Sequence, residues 1–425
     1  MAVFNLLTEF IMLGQIQEGI HWQAGSKPRS YYKLIILKPS IDLSTSELYF
    51  HLRQIWLLCQ SLKNGVIPSL GANYPVDPES LQVLIGYGHK FFERSDLAQP
   101  TPEGMAQINR FPHPNETLER SVLPGSGIVY DSDVEYNDAD EEIALQVLAD
   151  SPLAVHRVQV EINKYLEAMK EESIPDYLPF TIAKAFDGFG RRDKRSWIDF
   201  HDGISNLRKG EERRQVVAIK PDNAGGQDWT LNGSYMVFMR LPVNLQIWQQ
   251  IPQNDQEILV GRTKQSGCPL TGVDSMGIAI PDPRCPVNGS KEVIEPGNEQ
   301  FREPSSVVPD LIKISHVQRA NHHRAPVFKP DSRRIYRQGF EFLEEEEISD
   351  VTKIGLNFVS FQDDPDRTLF ILTHPDWLGN LSFGGDPNSQ GNGLDRLVTA
   401  RAAGTFFVPP VHGNSPFPGA EMFSI

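Results

Sequence analysis

Short apolar runs alternate with polar, turn-rich stretches along this chain, and the first run with a clear period is Tyr31 to Leu37 (YYKLIIL), which predicts a strand. Ser44 and Glu47 have the spacing of a capping box that opens a helix. Leu48, Leu52, Ile55, Trp56 and Cys59 follow at helical spacing, and Gly65 predicts the stop. Leu81 to Tyr87 predicts a second strand and Glu142 to Leu148 a third; the polar connection over 95–140 separates them. Asp150 is the expected cap of the next helix, with Pro152 in its first turn and Val155, Val158, Ile162, Tyr165, Leu166 and Met169 as its buried stripe. Phe180 to Phe186 predicts a fourth strand. This order, strand–helix–strand–strand–helix–strand, is that of a ferredoxin-like unit.

The order recurs in the second half. Gly233 to Leu241 predicts a strand and Val243 to Ile251 a helix, followed by a Pro/Gly-rich excursion over 262–310. Arg334 to Phe342 and Lys353 to Phe361 predict strands, with Glu344–Glu347 as a solvated turn between them. Thr368 to Trp377 is partly helical in pattern, interrupted by Pro375, and Thr405 to Val408 closes the series. The expected architecture is α+β, with two ferredoxin-like (βαββαβ) units and antiparallel sheets, divided into residues 1–195 and 196–425. No sequence repeat links the halves, so the duplication rests on element order.

With 425 residues, the chain can bury a large core, and 40% hydrophobic with 22% charged residues is a globular composition. The formal charge of −15 argues against nucleic acid and against an anionic membrane as partners. No run reaches the roughly 18 apolar residues of a membrane helix, and the N-terminus lacks the basic start of a secretory signal. Cys59, Cys268 and Cys285 are few and form no C-x-x-C, which points to a reducing, cytoplasmic setting. Cys268 and Cys285 are free to pair, but two unpaired thiols are the expectation.

There is no P-loop, no H-E-x-x-H and no G-x-S-x-G, and neither Gly86-Tyr87-Gly88 nor Gly188-Phe189-Gly190 completes a dinucleotide fingerprint. The neighbours His322 and His323 point different ways on any regular element, so they make a poor metal pair. Two other stretches carry candidate chemistry. In one, a lone His316 leaves an apolar run and Arg337 follows 21 residues later. The other, Trp197 to Asn206, contains Asp202-Gly203 and by itself reads as ordinary turn chemistry.

Six motifs change that reading. Phe200-x-Asp202-Gly203-Ile204-Ser205-Asn206 resembles the G-x-x-D-G signature of the dye-decolorizing peroxidases, and Gly233 to Arg240 (GSYMVFMR) is similar to that family's G-S-Y-L-V-V-R-K strand. Val260-Gly261-Arg262-x-Lys264-x-x-Gly267-x-Pro269-Leu270 resembles I-G-R-x-K-x-x-G-x-P-L. Ser315-His316-Val317-x-Arg319-Ala320-Asn321 is similar to S-H-I-R-x-x-N, and Arg334-Ile335-Tyr336-Arg337-x-Gly339-Phe340 to R-I-L-R-x-G-Y. Gly355 to Gln362 (GLNFVSFQ) resembles G-L-x-F-x-x-Y-Q. The motifs lie in family order over about residues 200–362, with Ile16-Gln17-x-Gly19 a looser match upstream. Two departures stand out. Asp199 occupies the place of the first signature glycine, and His322-His323-Arg324 is one residue longer than the family's Pro-Arg, which puts His323 in strict register and Arg324 one place on.

The resemblance implies a fold of the dimeric α+β barrel type and haem b as cofactor. It implies His316 as the axial iron ligand, and Asp363, Asp364 and Asp366 lie in a segment able to supply its hydrogen-bond acceptor. It assigns Asp202 as the base that moves the peroxide proton and Arg337 as the cation that stabilises the departing oxygen. Gly203, Ile204, Leu356 and Phe358 are implied to lie against the haem, and Arg324 to meet a propionate; Arg333 and Arg334 are expected in surface salt bridges. The implied activity reduces H2O2 through a ferryl intermediate and oxidises organic electron donors such as dyes and phenolics, with an acid optimum. Tyr336, Trp197 and Trp377 are candidate surface relays, and a homo-oligomer is compatible with the fold. The alternatives are a haem-handling protein of the same fold without efficient turnover, and a haem-free ferredoxin-like module.

Overall fold

Strand β1 (Tyr31–Pro39) forms because its residues are buried on both faces, and its central position in the sheet follows from that. The helix after it, α1 (Thr45–Lys63), starts at the expected capping box: the Ser44 side chain accepts from the Glu47 N–H, and the Glu47 carboxylate accepts from the Ser44 N–H at 3.0 Å. Gly65 adopts φ +72° just beyond its end. The computed structural model describes residues 14–71, 73–107, 129–130, 142–172, 178–290, 292, 309–313, 315–320, 332–345, 352–368, 397–400 and 402–425.

The chain continues through β2 (Gln82–Gly88), the short α2 (Glu103–Gln107), β3 (Val129–Tyr130), β4 (Ile143–Ala149), α3 (Pro152–Glu172) and β5 (Phe180–Phe189). Ser151, not Asp150, caps α3: its hydroxyl accepts from the Ala154 N–H at 3.3 Å, while Asp150 pairs with Arg29 at 3.2 Å. Pro152 fills the first helical position, so the residue immediately before it is the cap.

The second half runs through α4 (Glu211–Val217), β6 (Ser234–Pro242), α5 (Leu245–Gln250), α6 (Gln253–Val260) and a hairpin of β7 (Leu270–Val273) and β8 (Ala279–Pro281). Then come α7 (Asp310–Lys313), α8 (His316–Ala320), β9 (Tyr336–Arg337), β10 (Phe340–Glu345), β11 (Thr352–Gln362), β12 (Thr399–Ala400) and β13 (Ala402–Val408). The expected strand 334–342 is interrupted at Gln338–Gly339, yet β9 and β10 keep one register against β11: Arg337 lies opposite Ser360 and Phe340 opposite Asn357. Glu344 and Glu345 belong to β10 and not to a turn, and Glu344 pairs with the buried Arg240. Of the predicted segment 368–377, only Thr368 lies among the described residues.

The main sheet has the order β10-β5-β1-β4-β2-β13-β6-β11-β9, and β10 also pairs with β11, so the sheet closes into an antiparallel barrel within one chain. The N-terminal strands lie in the order β5-β1-β4-β2 and the C-terminal ones in the order β13-β6-β11-β10. Inside, Tyr32, Leu34, Ile36, Phe238, Val359, Phe361 and Phe406 form one core. On the N-terminal outer face, Ile35, Leu37, Val83, Ile85, Leu145 and Val147 pack under α1 and α3. Full burial of each such side chain stabilises the fold by roughly 1.5–3 kcal/mol.

The C-terminal outer face is different. Alternate residues Met239, Leu241, Leu356 and Phe358 face a cavity of about 290 Å³. Its far side is made by short elements whose apolar residues form a separate cluster of Phe200, Trp248, Val260, Val317 and Leu397. At one end of the barrel, the Gln17 side chain bonds Ile85 and Pro409, and the Gly19 carbonyl accepts from Gln338 Nε2 at 2.7 Å.

Cys268 and Cys285 are disulfide-bonded, Cα–Cα 5.9 Å, contrary to the expectation of two thiols. The β7–β8 hairpin, which the pattern of 262–310 did not reveal, folds the two positions against each other. The thiol argument for a reducing compartment therefore no longer stands, since only Cys59 is free. Among the described residues no helix is long and apolar enough to cross a membrane.

The β6–β11 pairing leaves no room at Gly355, where a Cβ would lie 2.1 Å from the Leu241 carbonyl oxygen. Gly355→Ala should destabilise the protein by about 2 kcal/mol or more. A drop in the thermal midpoint, read by calorimetry on the cofactor-free chain, checks this.

Candidate functional site

Asp202 reaches the cavity on a small doubled-back loop after β5. Asp202 N–H donates to the Lys194 carbonyl at 3.0 Å, and Arg195 forms an isolated bridge with His201. Asp199, at the glycine position of the signature, adopts φ +69° all the same. Aspartate tolerates the left-handed region better than most residues. The Asp199 carbonyl accepts from Arg195 Nη1 at 2.6 Å, and its N–H donates to Ser196. Gly203 follows at φ +82°, where a side chain would be strained. The first departure from the family pattern thus leaves the turn geometry intact.

Asp202 meets Arg337 at 3.1 Å across 135 residues of sequence. Asn206 fixes that meeting: its Nδ2 donates to the Arg337 carbonyl at 2.7 Å, and its Oδ1 accepts from the Arg337 N–H at 3.2 Å. The Asp202 side chain is open to the cavity, 44% exposed. Burial pushes its acidity towards the neutral form. Arg337, the Gly203 N–H and His316 more than offset that, and the carboxyl is held below its usual range.

His316 lines the same cavity from α8. Burial, the Arg337 charge and the Arg262 charge lower its pKa to about 4, against the pull of Asp202. The imidazole is therefore neutral over most of the acid range, the form that ligates a metal. Gly261 allows this helix its close approach: a Cβ there would lie 2.3 Å from Ser315 Oγ. The next residue, Arg262, donates to the Gly267 carbonyl at 2.8 Å and to Ser205 Oγ at 3.1 Å. One short segment thus touches both the histidine helix and the Asp202 loop.

Gly203, Ile204, Leu356 and Phe358 line the cavity together with Asp202, His316 and Arg337. Arg324, like His322, His323 and Trp377, lies outside the described residues. Asp363 is engaged by Arg367 at 2.6 Å and Lys220 at 3.1 Å, and Asp364 accepts from the Asp366 N–H. Arg333 pairs with Asp366 and Arg334 with Glu212, as expected, but Arg334 also lines the cavity. Sequence reasoning gave no role to Asn206, Arg262 or Glu341. Asn206 and Arg262 stood inside quoted motifs; Glu341 was legible as two steps of two from Arg337 on one strand.

One neutral imidazole faces a mostly apolar cavity with an ion pair in its wall. That donor set suits a flat metal macrocycle with one protein ligand better than a bare ion. Among the described residues, no group of three or more His, Cys, Asp or Glu gathers to hold a metal.

The family model described as Dyp-type peroxidase, C-terminal, matches residues 193–413, and the chain belongs to the Dyp-type peroxidases, oxidoreductases that act on peroxide. Deferrochelatase of Shigella flexneri serotype 5b (strain 8401) is 22% identical over 361 residues, 82% of this chain and 70% of that protein. Deferrochelatase of Escherichia coli (strain K12) is 22% identical over 345 residues, 79% and 66% of the two chains. Among solved structures, a DyP-type peroxidase from Cellulomonas bogoriensis superposes with a TM-score of 0.66 at 18% identity, covering 97% of this chain and 98% of that one. Ferric DtpA from Streptomyces lividans gives 0.61 at 19%, covering 95% and 96%. At these identities the structural likeness speaks for a shared fold.

Asn206→Ala removes both hydrogen bonds that hold the Arg337 backbone. Losing a buried pair of this kind costs about 1–3 kcal/mol. Part of that cost should appear as a roughly tenfold slower reaction with peroxide, measured by stopped flow.

Proposed function

We propose that the chain is a haem b-dependent peroxidase that reduces H2O2 and takes electrons from organic donors such as dyes and phenolics. The observation that carries the reading is the Asp202–Arg337 pair in the wall of the cavity that His316 also lines. In this reading, His316 would ligate the iron. Ile204, Leu356 and Phe358 would pack against the macrocycle, Gly203 would let the Asp202 loop approach it, and Arg324 would be the partner of a propionate. When bound, the haem supplies the redox centre at which the O–O bond is broken.

The protein's part is proton and charge control. A charged Asp202 carboxylate accepts the proton of the inner peroxide oxygen and returns it to the outer one, which leaves as water. The Arg337 guanidinium faces the charge that builds on the departing oxygen and needs no reorganisation to do so. The apolar walls exclude water and strengthen both effects.

The strand orders β5-β1-β4-β2 and β13-β6-β11-β10 support a duplicated ferredoxin-like architecture, with units at 1–195 and 196–425 whose sheets join into one barrel. The compartment bears on Cys268–Cys285: an oxidising one keeps the pair, and a reducing one opens it. The name of the deferrochelatase relatives raises a second reading, a haem-handling protein without efficient turnover.

Protein supplied with haem should show a Soret band that His316→Ala loses. No haem binding would sink both readings. Arg337→Leu should keep the band and lower peroxide-dependent oxidation of a phenolic donor by about 10²–10³-fold. Haem binding without such oxidation in the unaltered protein would favour the haem-handling reading.

The sign of the pH effect also follows. Asp202 is held low, so the base stays charged well into acid, and activity should fall only as pH drops through that lowered value. Removing Arg337 leaves burial as the dominant influence, so the residual rate of Arg337→Leu should lose its acid tolerance, with the limb moved to higher pH. An unmoved limb in the pH–rate profile would exclude Asp202 as the base.

A further inference from the structure

Asp202 is not the only carboxyl in the cavity wall. Residues 337, 339 and 341 share one face of the β9–β10 line, because that line keeps a single register against β11. Glu341 lies opposite Leu356 on β11 and opposite Phe189 on β5. It is 7% exposed and lines the cavity with Asp202 and His316. An unpaired charge at a strand position like this is expensive unless the group is neutral.

The groups around Glu341 come from three elements. The loop after β5 contributes the charges of Asp202, Arg191 and Asp193, and the Trp197 backbone N–H donates to the Glu341 carboxyl. On β11 the nearest charged residue is Lys353, opposite Glu344; on β5 it is Asp187, which pairs with Lys33 at 2.6 Å. Arg191 is held by Asp193 through bonds of 3.0 and 2.6 Å, so its charge is already shared. Asp193 is 48% exposed. Glu341 is therefore within electrostatic reach of both a surface carboxylate and the carboxylate of the cavity. Burial, and then the Asp202 charge, push its carboxyl up to about 8. Below that pH it holds a proton.

We propose that Glu341 is the proton donor of the cavity: a neutral carboxyl that gives its proton to the second product oxygen during donor oxidation and is refilled from solvent at the Arg191–Asp193 edge. The proposal rests on the peroxidase reading. Reducing H2O2 to two waters takes two electrons and two protons. The electrons come from the organic donors, each oxidised by one. Asp202 only passes a proton between the two peroxide oxygens and adds none. Glu341 acts once with each electron, twice per turnover: each time its O–H bond breaks, an O–H bond to the second product oxygen forms, and the carboxylate regains a proton from bulk solvent, so that the two protons complete one water.

The test uses the haem-loaded protein, Glu341→Gln and Glu341→Asp, with the peroxide phase and the donor phase resolved by stopped flow. Glu341→Gln should keep most of its peroxide phase and slow the donor phase by about ten- to a hundredfold, with Glu341→Asp in between. Infrared spectra of the cofactor-free protein give an independent readout. A carbonyl-stretch band of a protonated carboxyl should be present at pH 7, fade well above pH 8 and be missing in Glu341→Gln. An unchanged donor phase in Glu341→Gln overturns the proposal, as does the absence at pH 7 of any carboxyl band that depends on Glu341. If Glu341→Gln fails to fold or load haem, Glu341→Asp and the pH-dependent band of the unaltered protein decide. A missing peroxide phase in the unaltered protein would count against the peroxidase reading itself.

Discussion

The contact on which the site depends is Asp202 with Arg337, two opposite charges brought together in the wall of the cavity. Such a pair is costly to desolvate and is tolerated only where geometry and extra hydrogen bonds compensate. Here the Gly203 N–H supports the carboxylate, and Asn206 grips the backbone of the arginine from both sides. Each partner is placed by a different constraint. Arg337 is fixed by strand register against Ser360, and Asp202 by a loop that needs left-handed backbone at positions 199 and 203. Neither constraint alone would put the charges within 3.1 Å.

The barrel supplies the room for that pair by treating its two outer faces differently. In the N-terminal half, α1 and α3 pack over the buried strands β1, β2 and β4. In the C-terminal half, α5 and α6 are short, and their apolar residues gather in a separate cluster. What would have been a second helix-on-sheet core is opened into a cavity walled by the strand residues Met239, Leu241, Leu356 and Phe358. Burial given up on this face is a stability cost. The Gly261–Arg262 segment limits the consequences by tying the His316 helix to the Asp202 loop.

Much of this was readable from the residues. Long strands and the α1 capping box declared themselves by period and by cap chemistry, because those signals are local. The site residues were readable through motif order, since each sits in a backbone context that only a few residue types satisfy. What stayed hidden was set by tertiary pairing. Cys268 and Cys285 meet through a hairpin of strands too short to have a period. Asp199 looked like a broken glycine position, yet its carbonyl and N–H bonds hold it in the conformation a glycine would adopt. Glu341 falls one residue beyond the motif that ends at Phe340, so motif order gives it no role.

The charge pattern explains how one cavity keeps a carboxylate charged and an imidazole neutral under the same conditions. In water, acidification would protonate a histidine before an aspartate. Within the cavity the order holds at lower pH for both, and Arg337 acts on each. Its positive charge opposes a second proton on His316 and favours the loss of one from Asp202. Arg262 adds to the first effect from the other side of the loop. Burial lowers His316 further, while for Asp202 it works in the opposite direction and is outweighed. A single arginine therefore acts on both groups at once, and the state it favours, free imidazole with ionised carboxylate, persists towards pH 4. Glu341, on the same strand face but beside a cation already engaged by Asp193, lies beyond that protection and keeps its proton instead.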